Sequence, residues 1–494
     1  MTSAPPTPLH PVAWRPVLAA AGAVVLVLTL ASAGYGYHRD ELYYRMLPPE
    51  PGYVDQPPLV PLLARTLTDL VADEVWAIRL PATLAAGGAV VLLALLTREL
   101  GGNRRAQAIG AWAYASTSSV LMFGHVLLPA TLDLAFWMAI LWAATRAALR
   151  DPRWWLLAGV LIGLDTSNRW LVAVLAVGIA AGVLLLGPRH TLRSPWLWAG
   201  VGAAALLTLP NLAWQAANDW PQLAMGGALA ENNAGEVRVG MWILLLVLLG
   251  PPLVPIWVAG IRHLLVTPGL RHARFLVVTL GALLVFTFVG ATQPHYFMSP
   301  LAAALAAGCV PLGERMERRG RVSRALVGWI ALNGLVSAVI ALPLLPEPVL
   351  GRTPVPGISP LAGDQVGWPA YVATVASAYE QAVAEHGEPV AIIASNYGEA
   401  GAIVRYGAGH GLPEPFSGHN HLARLGRLAD DVETVVVVGG QTLWVPRVFE
   451  ECTRAGVLDN GVDVDNEEQG LPVLVCTGPQ EPWPRLWQRF THLD

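Results

Sequence analysis

The chain has 494 residues, 54% of them hydrophobic and only 13% charged, with a mean hydropathy of +0.48. A soluble protein of this size carries about a quarter charged residues, so solubility throughout is excluded. All 31 basic residues are arginines and they are unevenly spread: residues 346–494 hold 8 arginines against 19 acidic residues, and the preceding part holds 23 against 16. A basic, very apolar body followed by an acidic, more polar tail predicts an α-helical polytopic membrane protein with a water-exposed C-terminal domain.

In chain order, apolar runs long enough to cross about 30 Å of hydrocarbon fall at 17–36, 75–96, 106–127, 132–149, 154–166, 171–187, 196–216, 240–264, 275–291, 297–312 and 325–345. About 11 membrane helices are expected, the run 154–166 being short enough for a half-length helix buried among neighbours. The first run is read as a retained span, because no small-residue cleavage site with a polar mature segment follows it. With a cytoplasmic N-terminus, 17 arginines collect on the inner side, while the outer loops keep Arg39, Arg45, Arg65, Arg79, Arg169 and Arg238. The positive-inside bias therefore predicts a multi-pass protein of the plasma (inner) membrane with its C-terminal domain extracytoplasmic.

Two domains are expected: a membrane domain over 1–345, with an outer loop at 37–74, and an extracytoplasmic α/β domain over 346–494. In the latter, apolar runs at 390–394, 434–438 and 473–476 predict strands, and 371–385 predicts a helix. Cys309 lies in a span and reads as packing. Cys452 and Cys476 lie where oxidation is permitted, and either a disulfide or two free thiols fits their spacing. His410, His419 and His421 sit in turn-rich loops and read as surface or hydrogen-bonding residues rather than a metal centre. Gly407-x-Gly409-x-Gly411 lacks the spacing and context of a dinucleotide fingerprint.

The loop 37–74 is the most informative stretch. His38-Arg39-Asp40-Glu41-Leu42-Tyr43-Tyr44 opens it where the first span ends, and Gly52-Tyr53-Val54-Asp55-Gln56-Pro57-Pro58-Leu59 follows. Acidic residues at a membrane boundary can be simply solvated. The apolar content after them, Leu59, Val60, Leu62 and Leu63, instead suits short helices lying along the interface.

These residues resemble the lipid-dependent glycosyltransferases of the GT-C superfamily, in the protein O-mannosyltransferase and aminoarabinose-transferase branch (glycosyltransferase family 39 and its relatives). The resemblance rests on Asp-Glu after the first span and on Gly-Tyr-x-Asp-x-Pro-Pro-Leu. It is carried further by Arg79-Leu80-Pro81, Gly101-Gly102, Asp133, the stretch Leu209 to Gln215, and Gln293-Pro294-His295-Tyr296-Phe297. Asn396-Tyr397-Gly398-Glu399-Ala400 and Ser417-Gly418-His419-Asn420 extend it into the tail. Two departures stand out: Gln56 and Gln293 occupy positions where relatives have a lysine, the first of which would meet a lipid phosphate.

The resemblance implies inverting transfer of a sugar from a polyprenyl-phosphate donor to an acceptor on the outer face. Polyprenyl phosphate is a good leaving group, so the chemistry calls for one carboxylate to take the acceptor's hydroxyl proton rather than the paired carboxyls of glycoside hydrolysis. Asp40 is the expected base and Glu41 the alternate. Asp133 matches the family's second acidic position, where it would orient the acceptor, hold Asp40's neighbours or bind metal; capping a helix is the equally open alternative. Arg39, Arg169 and Arg238 are candidates to clamp phosphate, or else interface anchors. Tyr53, Asp55, Gln56, Trp214, His295 and Tyr296 complete the expected substrate-binding set, and Asp55 with His295 would suit a divalent metal. No cofactor is firmly implied. The expected partners are the lipid-linked donor, membrane lipids and a lipid, protein or cell-wall acceptor, with no nucleic acid. The alternative from another class is a transporter or flippase for lipid-linked sugars; no matching halves of the kind seen in transporters are visible.

Overall fold

The computed structural model describes residues 9–290, 292, 293 and 295–494, with side chains at all of these but 229–237. Helices occupy most of each of the eleven apolar runs. They are not eleven full-length spans. Among the described residues, five helices are long and apolar enough to cross a bilayer: Trp14–Ala31, Val75–Glu99, Pro129–Leu149, Pro195–Ala217 and Arg324–Ala341. Trp154–Asp165, Val172–Leu185 and Phe275–Gly290 are shorter apolar helices; at 1.5 Å per residue the first reaches only about 18 Å. The run 240–264 is broken, its two helical pieces meeting at 72°. The break has a local cause: Gly250 adopts a left-handed φ of 93°, and Pro251 and Pro252 lack the N–H groups that would continue the helix.

Beyond the last long helix, the chain forms a helix at Trp368–His386 and a four-stranded sheet: β1 (Val390–Ala394), β2 (Thr434–Val438), β3 (Phe449–Val457) and β4 (Pro472–Pro479). The order is β1-β2-β4-β3, with β1 parallel to β2 and the other pairs antiparallel. Alternation sends Ile392, Ala394, Val436, Val438, Val473 and Val475 to one core and Ile393, Val435, Val437 and Leu474 to a second, closed by Trp483, Leu486 and Phe490. β3 escaped sequence reading because Glu450, Glu451 and Arg454 interrupt its apolar pattern, as is common on an edge strand. Cys452 on β3 faces Cys476 on β4 in register, and the two are joined by a disulfide.

One packing contact positions the site. The helix Tyr397–Tyr406, capped by Asn396 and Glu399, lies on the short helix Arg39–Met46 that follows the first span. A Cβ at Gly401 would come within 2.7 Å of the Leu42 backbone, so only glycine permits this approach. The C-terminal segment is thereby seated over the start of the loop 37–74.

Candidate active site

Asp40 and Glu41 are adjacent in sequence, but the helix Arg39–Met46 turns them into different environments. Glu41 is fully buried. It receives N–H bonds from His38 (2.9 Å) and Leu127 (2.9 Å), and it pairs with Arg79 (Nη2 2.8 Å, Nε 2.9 Å). Arg79, equally buried, also donates to the Ser32 carbonyl (2.7 Å), the Gly36 carbonyl (2.8 Å) and Gln365 (3.0 Å). This network pins the end of the first helix to the loop and to the C-terminal segment. Both oxygens of Glu41 are thus taken up by Arg79 and by backbone N–H groups, which suits a structural ion pair better than the expected role of alternate base.

Asp40 is only half-buried. Tyr397 donates its hydroxyl to Asp40 Oδ1 at 2.9 Å, and Tyr44 reaches Oδ2 at 3.4 Å. Tyr397 is itself held in a stack of rings running Tyr43, Tyr397, His419, His492, with centroids 4.8, 4.7 and 4.5 Å apart. Burial, then the neighbouring His492 and Arg39, push the His419 imidazole down to about 3, so it stays neutral in the stack. Burial and then the Asp40 charge raise both Tyr44 and Tyr397 well above the ordinary phenol value, which keeps both as donors.

A second cluster lies on the membrane helices and their connections. Asn168 donates to Asp133 (2.8 Å) and to Asp165 (3.1 Å), Trp137 donates to Asp165 (3.0 Å), and Arg169 stands 3.6 Å from Asp133. Arg169 also lies over the Tyr296 ring (5.1 Å) and 3.4 Å from His295 Nε2. Tyr44 connects the two clusters: the charges of Asp40, Asp55 and Arg169 all act on its hydroxyl. Asp133 is inside the helix Pro129–Leu149, beyond its first turn, so the helix-capping alternative is not what it does.

The remaining expected residues divide. Asp55 accepts from Tyr43 (3.0 Å), and burial, with the Asp40 charge adding to it, raises its carboxyl to about 7. Gln56 is buried and its Nε2 has no protein partner. Tyr53 is spent on the loop: its hydroxyl donates to the Pro48 carbonyl (2.7 Å) and its ring meets His421 edge-on. Trp214 packs flat against Gly52, where a Cβ would lie 2.5 Å from its ring, and so braces the loop rather than lining a groove. Arg39 is buried, ion-paired with Glu467 and set over the Tyr397 ring (5.0 Å), which commits it to the C-terminal segment instead of phosphate. Arg238 is exposed on the helix Pro221–Val247 with the Phe288 carbonyl at 3.3 Å, outside both clusters.

The donor set does not fit the expected metal. Among the described residues, no three His, Cys, Asp or Glu side chains come close enough to hold one. The Arg169 guanidinium stands 3.4 Å from His295 Nε2, putting a positive charge where a cation on that nitrogen would sit; burial and then that positive charge hold the His295 imidazole well below its usual value. Asp55 and His295 accordingly carry separate roles.

Sequence reading missed Tyr44, Tyr397, His492 and the Asp165–Asn168 pair. Tyr44 and Tyr397 lie within the quoted stretches, but the partners of Tyr397 and Asn168 lie far off in sequence, at Asp40 and Asp133.

Comparison with known proteins follows the same lines. Residues 55–214, less than half of the chain, match the family model described as dolichyl-phosphate-mannose-protein mannosyltransferase. No curated protein matches the chain by sequence. The chain is similar in structure to ArnT from Cupriavidus metallidurans bound to undecaprenyl phosphate (15% identity, TM-score 0.58, covering 93% of this chain and 98% of that one). It is also similar to the arabinofuranosyltransferase AftD from Mycobacteria (13% identity, TM-score 0.53), of which it spans 41% while 97% of this chain is covered. These likenesses show that the chain shares its fold with ArnT and AftD, and that the family match is confined to residues 55–214.

Proposed function

We propose that the protein transfers a sugar from a polyprenyl-phosphate donor to an acceptor hydroxyl at the outer face of the plasma membrane, with inversion and with Asp40 as general base. The observation that carries this reading is Asp40 itself. It is a half-buried carboxylate where the first helix ends, oriented by two tyrosine hydroxyls, beside a second cluster that supplies the cation Arg169. ArnT, bound to undecaprenyl phosphate in its solved structure, supports the class of donor.

In this scheme Asp40 removes the proton as the acceptor oxygen attacks the anomeric carbon from the face opposite the phosphate. The bond from that carbon to the phosphate oxygen breaks, and its electron pair leaves with polyprenyl phosphate. Developing charge on the phosphate calls for a guanidinium. Arg169 is the candidate, held by Asp133 on one side and stacked on Tyr296 on the other. Gln56, whose amide has no protein partner, is a donor available to sugar or phosphate where relatives have lysine. Asp133, Asp165 and Asn168 act by fixing Arg169.

The acceptor is a lipid, a protein or a wall polymer. The test is envelope glycan analysis after deletion of the protein, followed by transfer assays with purified protein and matched undecaprenyl-phosphate sugars. The reading expects one sugar to disappear from the envelope and release of undecaprenyl phosphate in the assay. An unchanged envelope, and no release from any sugar tried, would contradict it.

A further inference from the structure

A groove between the helices Trp14–Ala31, Arg104–Ala115 and Arg324–Ala341 takes no part in the clusters above. It encloses about 660 Å³, and its walls are almost wholly apolar, formed by Val24, Val27, Ile109, Trp112, Ile330 and Ala331 among others. Its origin lies in how the helix Arg324–Ala341 is fastened. Asn333 donates to the Ser116 carbonyl (2.9 Å) and the Leu249 carbonyl (3.0 Å), and the Ser337 hydroxyl lies 3.3 Å from that of Ser118. Within this helix only Asn333, Ser337 and Ala341 are buried. Its N-terminal half stands off from its neighbours, and the groove is the gap.

The two ends of the groove differ. One reaches Leu121, on the short helix whose last residue, His125, touches Arg79, the partner of Glu41 next to Asp40 in the chain. The other ends at Arg105 and Val322, the latter flanked by the exposed Arg321 and Arg324. Arg105 is fixed by donating to the Met316 carbonyl, which uses one of the five N–H groups a guanidinium offers. Apolar walls of this extent do not hold ordered water, and within a bilayer the available filler is a lipid chain.

We infer that this groove binds an anionic glycerophospholipid, with one acyl chain along the apolar wall and its phosphate against Arg105, Arg321 and Arg324. Charge complementarity selects the headgroup: the groove's one ionic wall residue is cationic, and two more arginines flank it. A guanidinium donates paired N–H bonds to a phosphate; the phosphate of a zwitterionic headgroup accepts them too, but that headgroup has no net charge. The donor's own polyprenyl chain is disfavoured because its phosphate belongs at the opposite, Asp40 end; that exclusion rests on the function proposed above.

Native mass spectrometry of the delipidated full-length protein tests the assignment, titrating dioleoyl phosphatidylglycerol, dioleoyl phosphatidylcholine and undecaprenyl phosphate separately and in competition. The wild type is expected to retain phosphatidylglycerol over phosphatidylcholine by about tenfold or more, the scale of one charge-assisted contact. Arg105→Gln should erase that preference, and Ala331→Phe, which fills the groove, should lower retention of both glycerolipids. The double variant Arg321→Gln/Arg324→Gln, altering exposed residues, gives the same reading if Arg105→Gln fails to fold. Equal retention of the two glycerolipids, or no effect of Ala331→Phe, would overturn the inference. So would undecaprenyl phosphate displacing phosphatidylglycerol from the groove, an outcome that leaves sugar transfer at Asp40 standing.

Discussion

The hydroxyl of Tyr397 donates to Asp40 at 2.9 Å, linking positions 357 residues apart. The stacked rings of Tyr43, His419 and His492 hold Tyr397 in place from both sides. The C-terminal segment thus reaches into the site and supports the proposed base instead of merely covering it.

Tyr397→Phe keeps the stack and removes only the hydrogen bond. A carboxylate without that donor is less firmly aimed at the acceptor hydroxyl, so kcat should fall while KM for the donor stays near its wild-type value. The maximal rate should fall several-fold. Steady-state kinetics would show this; an unchanged maximal rate would mean that Tyr397 serves the fold alone.

Glu41→Gln separates structural from catalytic carboxylates. Removing one charge leaves Arg79 buried without its partner, a cost of about 3–5 kcal/mol, against a total stability of about 5–15 kcal/mol for an ordinary domain. The variant is expected to express poorly and to melt well below the wild type in detergent. A well-folded Glu41→Gln protein that had lost only turnover would return this residue to the chemistry.

Arg169→Ala should weaken binding of undecaprenyl phosphate about tenfold or more, the loss of a charge-assisted contact being about 1.5–3 kcal/mol. Arg169→Lys should recover part of this, since the charge returns without the planar fork. Equilibrium binding of undecaprenyl phosphate measures both. Unchanged affinity in the alanine variant would remove Arg169 from the phosphate site.

Asp55 offers a pH test of stability. Burial raises its carboxyl to about 7 in the folded protein, against about 3.9 unfolded. Below the unfolded value both states are protonated and the residue is neutral in effect. As pH climbs from about 4 to 7 the unfolded chain releases the proton first, so folding loses stability across that window. Asp55→Asn should therefore raise Tm at pH 8 and change it little at pH 4. An equal change at both values would contradict the burial of that carboxyl.

How far the sequence could be read depended on whether a feature is local. The eleven apolar runs, the strands at 390–394, 434–438 and 473–476 and the helix over 371–385 follow from periodicity and composition, and they emerged. Span number did not, since the lengths of Trp154–Asp165 and Phe275–Gly290 and the break at Gly250 reflect packing among neighbours. The same limit governed the site. Asp40, Asp133, Arg169, His295 and Tyr296 stood in recognisable stretches, but Glu41 and Asp40 are indistinguishable until Arg79 takes one of them. Arg39 and Arg169 likewise look alike until Glu467 pairs with one and Asp133 with the other.

Substituting Asp40 by Asn, which keeps its shape and its contact with Tyr397, tests the general-base assignment most directly. Turnover of the undecaprenyl-phosphate sugar that the wild type uses should fall by about 10²–10⁴-fold, the usual contribution of a positioned base. Melting temperature and affinity for undecaprenyl phosphate should be unchanged. A folded Asp40→Asn protein that transfers sugar at the wild-type rate would contradict the account.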